Sequence, residues 1–168
     1  MNYSTLDLMD FPDCEIVHDN AFITLITRLA TSALKEICIS TFKLEYPIRK
    51  CAALKKFFDT LVDKSHAGLQ VHILFNWHPS LFSVPRSNYP TARYLKDNGI
   101  DLRYLPNNRC CHTKLFLSDK KNMVIGSHNL SVASVTSNFD ISLFLRHPSL
   151  VLDAHAAFWA AFSSSKKF

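Results

Sequence analysis

Residues 112 to 129 read HTKLFLSDKKNMVIGSHN: an imidazole and an ammonium two residues apart, a carboxylate at Asp119, then Gly126-Ser127-His128-Asn129. On an extended strand, residues two apart face the same side. His112 and Lys114 therefore point together, and Thr113, Leu115 and Leu117 turn the other way, towards a core. The polar turn at 118–122 sends the chain back as an antiparallel neighbour, which returns Ser127 and Asn129 to the level of His112. Asn138 and Asp140 are also two apart, so three polar pairs converge on one end of a sheet. The chemistry suits a phosphodiester. A neutral imidazole attacks phosphorus, or protonates a leaving oxygen when charged, while ammonium, amide and hydroxyl donors stabilise the phosphoryl oxygens. Asp140 is the group placed to hold the other ring nitrogen of the histidine and fix its tautomer. The arrangement calls for no cofactor and no metal. Cys110 and Cys111 precede His112, but adjacent strand residues face opposite sides and no second ligand pair follows, whereas a zinc site needs four ligands.

The elements that must position these groups follow from periodicity. Apolar residues at 22, 23, 25, 26, 29, 30, 33 and 34 have the spacing of an amphipathic helix over 20–36. ICISTF (37–42) reads as a buried strand. A helix over 47–65 begins at Pro47 and stops before Gly68, and LQVHILF (69–75) alternates as a strand. NWHPSLFSVPRSNYP (76–90) reads as a long irregular loop leaving a strand end. A helix TARYLKDN ends at Gly99, IDLRYL makes a short strand, HTKLFL and MVIGS make a hairpin, and SNFDISLFL precedes a last helix from Pro148 to about Phe162. The alternation predicts an α/β fold with a mixed central β-sheet flanked by helices. Gly126 stands where a strand meets Ser-His-Asn, a place for close backbone approach.

The chain has 168 residues, 48% apolar and 20% charged, which predicts one globular domain over 1–168. A formal charge of +5 favours an anionic partner. The N-terminal MNYSTLDLMDFPD lacks a basic n-region and does not read as a signal or transit peptide. Five cysteines with no CxxC pair fit a reducing, cytoplasmic setting, and no apolar run reaches membrane-spanning length. In the 76–90 loop, His78 and Arg86 lie among Trp77, Phe82 and Tyr89. Cations interleaved with aromatics suit single-stranded nucleic acid; the same aromatics equally suit covering the core or a subunit contact. His128 should point away from the phosphate, and His18, His66, His72, His147 and His155 follow no pattern and read as structural or exposed. Phe158, Trp159 and Phe162 of the last helix read most simply as core, with a share of a subunit interface as the second reading.

The order His112-x-Lys114, four residues, Asp119, six residues, Gly126-Ser127-x-Asn129 resembles the HKD signature of the phospholipase D superfamily with its following GSxN. Weaker echoes are ICISTF, AGLQVHIL, NGIDLR and Asn138-x-Asp140. The resemblance implies that His112 is the nucleophile forming a phosphohistidine, or the partner acid, and that Lys114 and Asn129 hold the phosphoryl oxygens with support from Ser127. It implies a structural role for Asp119. Asn138 matches the family's N-x-E, with Asp140 where Glu is usual. One motif supplies one histidine, and the family's double displacement needs two, so the resemblance implies a homodimer with a shared active site, as in single-motif bacterial endonucleases. The expected activity is metal-independent cleavage of DNA or RNA. The alternatives are a phospholipase or phosphatidyl transferase, and a non-catalytic nucleic-acid-binding dimer.

Overall fold

The computed structural model describes residues 13–46, 51–77, 84–107 and 109–168. In chain order the elements are β1 (Cys14–His18), α1 (Ala21–Ser32), β2 (Glu36–Thr41), α2 (Ala52–His66), β3 (Gln70–Phe75), α3 (Val84–Asp97), β4 (Asp101–Tyr104), β5 (Leu115–Ser118), β6 (Asn122–Gly126), α4 (Val132–Thr136), β7 (Ile141–Leu145), α5 (Pro148–Ser163) and β8 (Lys166–Lys167). The described strands form one mixed sheet in the order β1-β7-β6-β5-β2-β3-β4-β8. β3 is parallel to β2 and to β4, and the other pairs are antiparallel. This is the α/β architecture expected from the alternation of elements.

The period of two in the strands sorts the core into two layers. Ile37, Ile39, Val71, Ile73, Phe75, Phe116, Val124 and Phe144 pack on one face with Ile23, Ile26 and Leu29 of α1 and with Leu54, Phe57, Phe58 and Leu61 of α2. Cys38, Leu74, Leu115, Leu117 and Met123 pack on the other with Val151, Phe158 and Phe162 of α5. Fully burying one such large side chain contributes about 1.5–3 kcal/mol. The two layers clamp β2, β3 and β5, and this rigid centre carries the site at its strand ends.

Several boundaries differ from the sequence expectations. α1 stops at Ser32 rather than continuing to 36, because the backbone N–H groups of Leu34, Lys35 and Glu36 donate to the Asp119 carboxylate instead of to a further helical turn. α2 is described from Ala52; Pro47 to Lys50 lie outside the described residues. The largest difference is at 84–90, expected as loop, which forms the first half of α3 with Pro90 inside it. Asn88 and Thr91 of that helix are buried and hold the segment after β2: Leu44 N–H donates to Asn88 Oδ1, Asn88 Nδ2 donates to the carbonyls of Phe42 and Asn76, and Tyr46 N–H donates to Thr91 Oγ1. These tertiary bonds outweigh the local cost of Pro within a helix. β1, α4 and β8 had no clear periodic signal, being short, and Thr113 is exposed rather than turned to the core.

Candidate active site

β5 and β6 pair with Leu115 opposite Ile125, and Gly126 N–H donates to Lys114 O at 3.3 Å. That register carries Ser127 and Asn129 back beside His112 and Lys114. An open pocket at these strand ends is lined by Phe42, Lys43, His112, Lys114, Ser127, Asn129 and Asn138 among others. Of the three polar pairs expected to converge, His112 with Lys114, Ser127 with Asn129, and Asn138 line this pocket, whereas Asp140 is buried behind it.

His112 is exposed, and its ring packs tilted against Phe42 with centroids 5.0 Å apart. Lys114 Nζ lies 3.2 Å from His112 Nδ1 and donates to the His112 carbonyl at 2.6 Å. The ammonium also stands 5.6 Å from the Phe42 ring centroid. Burial lowers the Lys114 pKa from its ordinary value, with Cys110, Cys111 and Asp140 opposing that shift. Asn129 Oδ1 accepts from Lys43 N–H at 3.1 Å, which orients the side chain and leaves its Nδ2 as a donor. The backbone N–H of Asn129 donates to Ser134 Oγ at 2.9 Å. An imidazole, an ammonium and an amide donor thus meet at one open pocket, the set needed to attack phosphorus and hold its oxygens.

Asp140 is placed differently from the expectation that it orients the catalytic imidazole. Its carboxylate is buried and accepts from Ser127 Oγ, Ser134 Oγ and Asn138 Nδ2 at 2.5, 2.8 and 3.3 Å. The shorter Asp side chain holds Ser127 and Asn138, which line the pocket, and within one chain His112 rests on Phe42 and Lys114 instead. Burial alone would raise the Asp140 pKa, but these three hydrogen bonds outweigh it and hold the group below the ordinary carboxylate value. Ser127 Oγ, donating to Asp140, also accepts from Ile141 N–H at 3.0 Å, so it locks β7 to the GSxN turn. A side chain at Gly126 would collide with Ile141 O and with Ser142, so the close approach of β6 to β7 requires glycine there.

His128 turns away from the pocket. Its ring stacks on Phe22 at 4.4 Å, Nε2–H donates to the Asp19 carbonyl at 3.1 Å, and Nδ1 lies 2.8 Å from Ser142 Oγ. A carbonyl can only accept, so the neutral ring carries its proton on Nε2 and accepts from Ser142. Asp119 lies at the far end of β5, at the positive φ of 55° that Asp tolerates, and its carboxylate receives the three N–H groups that end α1. It ties the hairpin to the start of β2 and contacts no reacting group.

Residues 25–162 match the family described as cardiolipin synthase, PLD-like domain. The chain belongs to the PLD-like family. No curated protein matches the sequence. Among solved structures the fold is similar to Nuc, a phospholipase D family member from Salmonella typhimurium, with a TM-score of 0.78 and 18% identity over 94% of this chain and 99% of that one. It is similar to NucT from Helicobacter pylori, with a TM-score of 0.72 and 15% identity over 92% and 99% of the two chains. Phosphatidylserine synthase from Haemophilus influenzae shares the fold at a TM-score of 0.68 and 14% identity, over 95% of this chain and 41% of that one.

Other residues of this PLD-like chain fall outside the pocket. Trp77 packs among Phe75, Tyr89 and Phe168, in an aromatic cluster that joins β3 to the C-terminus. Arg86 lies on α3, and His78 and Phe82 lie outside the described residues. Sequence reasoning missed Phe42 and Lys43. The available signal was their position one and two residues past the C-terminal end of a strand that pairs with β5: Ser40 faces Leu115. It also missed the relay in which Asn88 donates to Asn76 O while Asn76 Oδ1 accepts from Cys111 N–H, one residue before His112.

Proposed function

We propose that this PLD-like chain is a metal-independent nuclease that cleaves DNA or RNA through a phosphohistidine, with one active site shared by two chains. The observation that carries the reading is the pocket where His112, Lys114, Ser127, Asn129 and Asn138 meet. The charge of +5 favours a polyanion. Among the described residues no helix is long and apolar enough to cross a membrane. The likeness to Nuc adds to the reading, and phosphatidylserine synthase keeps a phospholipid substrate as the rival.

In the first step an imidazole nitrogen of His112 attacks phosphorus. A P–N bond forms, the P–O bond to the leaving nucleotide breaks, and the partner's His112 gives that oxygen its proton. In the second step the partner's His112 takes a proton from water, whose oxygen attacks phosphorus and breaks the P–N bond. Lys114 and Asn129 Nδ2 hold the non-bridging oxygens throughout. A surface on which a second copy could sit adjoins the pocket. Ile125, Leu143 and Ile16 stand side by side across β6, β7 and β1, Ile141 follows on the same face, and α5 leaves this part of the sheet uncovered. Ile16, Ile125 and Ile141 are exposed, as is Phe139 next to the site.

Mixing separates a shared site from an independent one. With wild-type and His112→Ala chains exchanged to equilibrium at equal amounts, activity per total chain should fall to about a quarter, because only wild-type pairs hold two histidines. A fall to one half would sink the shared site.

A further inference from the structure

At the other end of β2 from the pocket, a carboxylate, a thiol and an imidazole meet beneath α5. Glu36 and Cys38 share one face of β2, and His155 reaches down from α5; their ligand atoms all lie within 4.8 Å of one another. Glu36 Oε1 is 2.9 Å from His155 Nε2, and Cys38 Sγ is 3.7 Å from Glu36 Oε2. The indole Nε1 of Trp159, one turn along α5, is 3.0 Å from the same His155 Nε2. No protonation state of one imidazole nitrogen satisfies both neighbours. With a proton it serves Glu36 and opposes the indole N–H; without one it accepts from the indole and aims its lone pair at a carboxylate oxygen. His72, the cross-strand partner of Cys38 on β3, adjoins: both of its ring nitrogens are buried without a hydrogen bond, and Asp101 Oδ2 stands 3.9 Å from Nδ1.

We propose that Glu36, through both of its carboxylate oxygens, Cys38 and His155 bind a divalent transition-metal ion of the zinc type, four donor atoms from three residues. A dication there takes the histidine lone pair, one carboxylate and one thiolate, and the thiol proton leaves to solvent. Two anionic ligands bring the buried ion to neutrality. Mixed nitrogen, sulfur and oxygen donors select zinc over magnesium or calcium, which prefer oxygen alone. β2 is an extended strand, so the six residue steps from Glu36 to Phe42, just past its end, span roughly 20 Å. The ion is therefore structural, pinning α5 to β2, and takes no part in phosphoryl transfer.

The test uses the whole purified chain, freed of metal by chelator and titrated with cobalt and then zinc. Cobalt should bind at about one equivalent with a thiolate charge-transfer band in the near ultraviolet. Zinc should raise the thermal midpoint of the wild type by about 4 °C or more. Cys38→Ser should lose the band and His155→Ala the zinc response, while Cys14→Ser and Cys110→Ser keep both, which covers the case in which the first two variants fold poorly. Absence of the band in the folded wild type, or its survival in Cys38→Ser, would overturn the proposal.

Discussion

Two charged residues of the motif do separate jobs, and substitution tells them apart. Asp119 accepts three backbone N–H groups far from the pocket. Asp119→Ala should therefore cost about 1–3 kcal/mol of stability, the range for buried or charge-assisted bonds left unmade, with turnover by the folded fraction retained. Urea unfolding beside an activity assay reads both. Lys114→Met should do the reverse, lowering kcat by about a hundredfold or more, as removal of a transition-state donor does, while unfolding shifts little. The motif residues were legible because their types and spacing carry the chemistry. The partners of Asp140 were not, since Ser134 belongs to a short helix without periodic signal, and one missing methylene redirects a carboxylate in a way that spacing alone does not reveal. The Glu36, Cys38 and His155 group was invisible for a related reason: 119 residues separate two of its members along the chain.

At the scale of elements, long amphipathic helices and alternating strands were readable, since burial of one face dictates their period. α3 was not. Pro85, Ser87 and Pro90 look like loop chemistry, but Asn88 is wholly buried and joins Phe42, Leu44 and Asn76 in one network. Leucine at that position would fill similar volume yet leave the Leu44 N–H and the Phe42 and Asn76 carbonyls unmet, at about 1–3 kcal/mol for each group that stays dry. Asn88→Leu should thus lower both the unfolding free energy and kcat, because the strap bearing Phe42 and Lys43 and the Asn76 contact to Cys111 loosen together. Equal kcat in the folded variant would show that the relay does not position the site.

For the whole molecule, the mixed sheet with helices on both faces was legible from the order of elements, whereas strand order and the uncovered face of β1, β7 and β6 depend on pairings that no local pattern contains. Its stability should fall on acidification. Burial lowers the pKa of His128 from its ordinary value, with Asp140 and the Asp19 carbonyl partly opposing. Below about pH 6.5 the unfolded chain therefore takes up a proton that the folded chain refuses, and stability is lost as pH falls towards the folded value. Asp140, held below the ordinary carboxylate value, acts in the same direction at lower pH. Urea unfolding midpoints should decline from about pH 7 to 5, less steeply in His128→Asn; a slope unchanged by that substitution would remove His128 from the explanation.

Histidine-dependent cleavage of nucleic acid without a catalytic metal is the central claim. Single- and double-stranded DNA and RNA should be incubated with the wild-type chain and with His112→Ala, both folded, in excess EDTA at a temperature well below unfolding. Cleavage by the wild type alone is the expected result. Cleavage of none of them by folded wild-type protein, with release of headgroup from phospholipid vesicles in the parallel assay, would contradict the nuclease reading and assign the same pocket to a lipid phosphodiester.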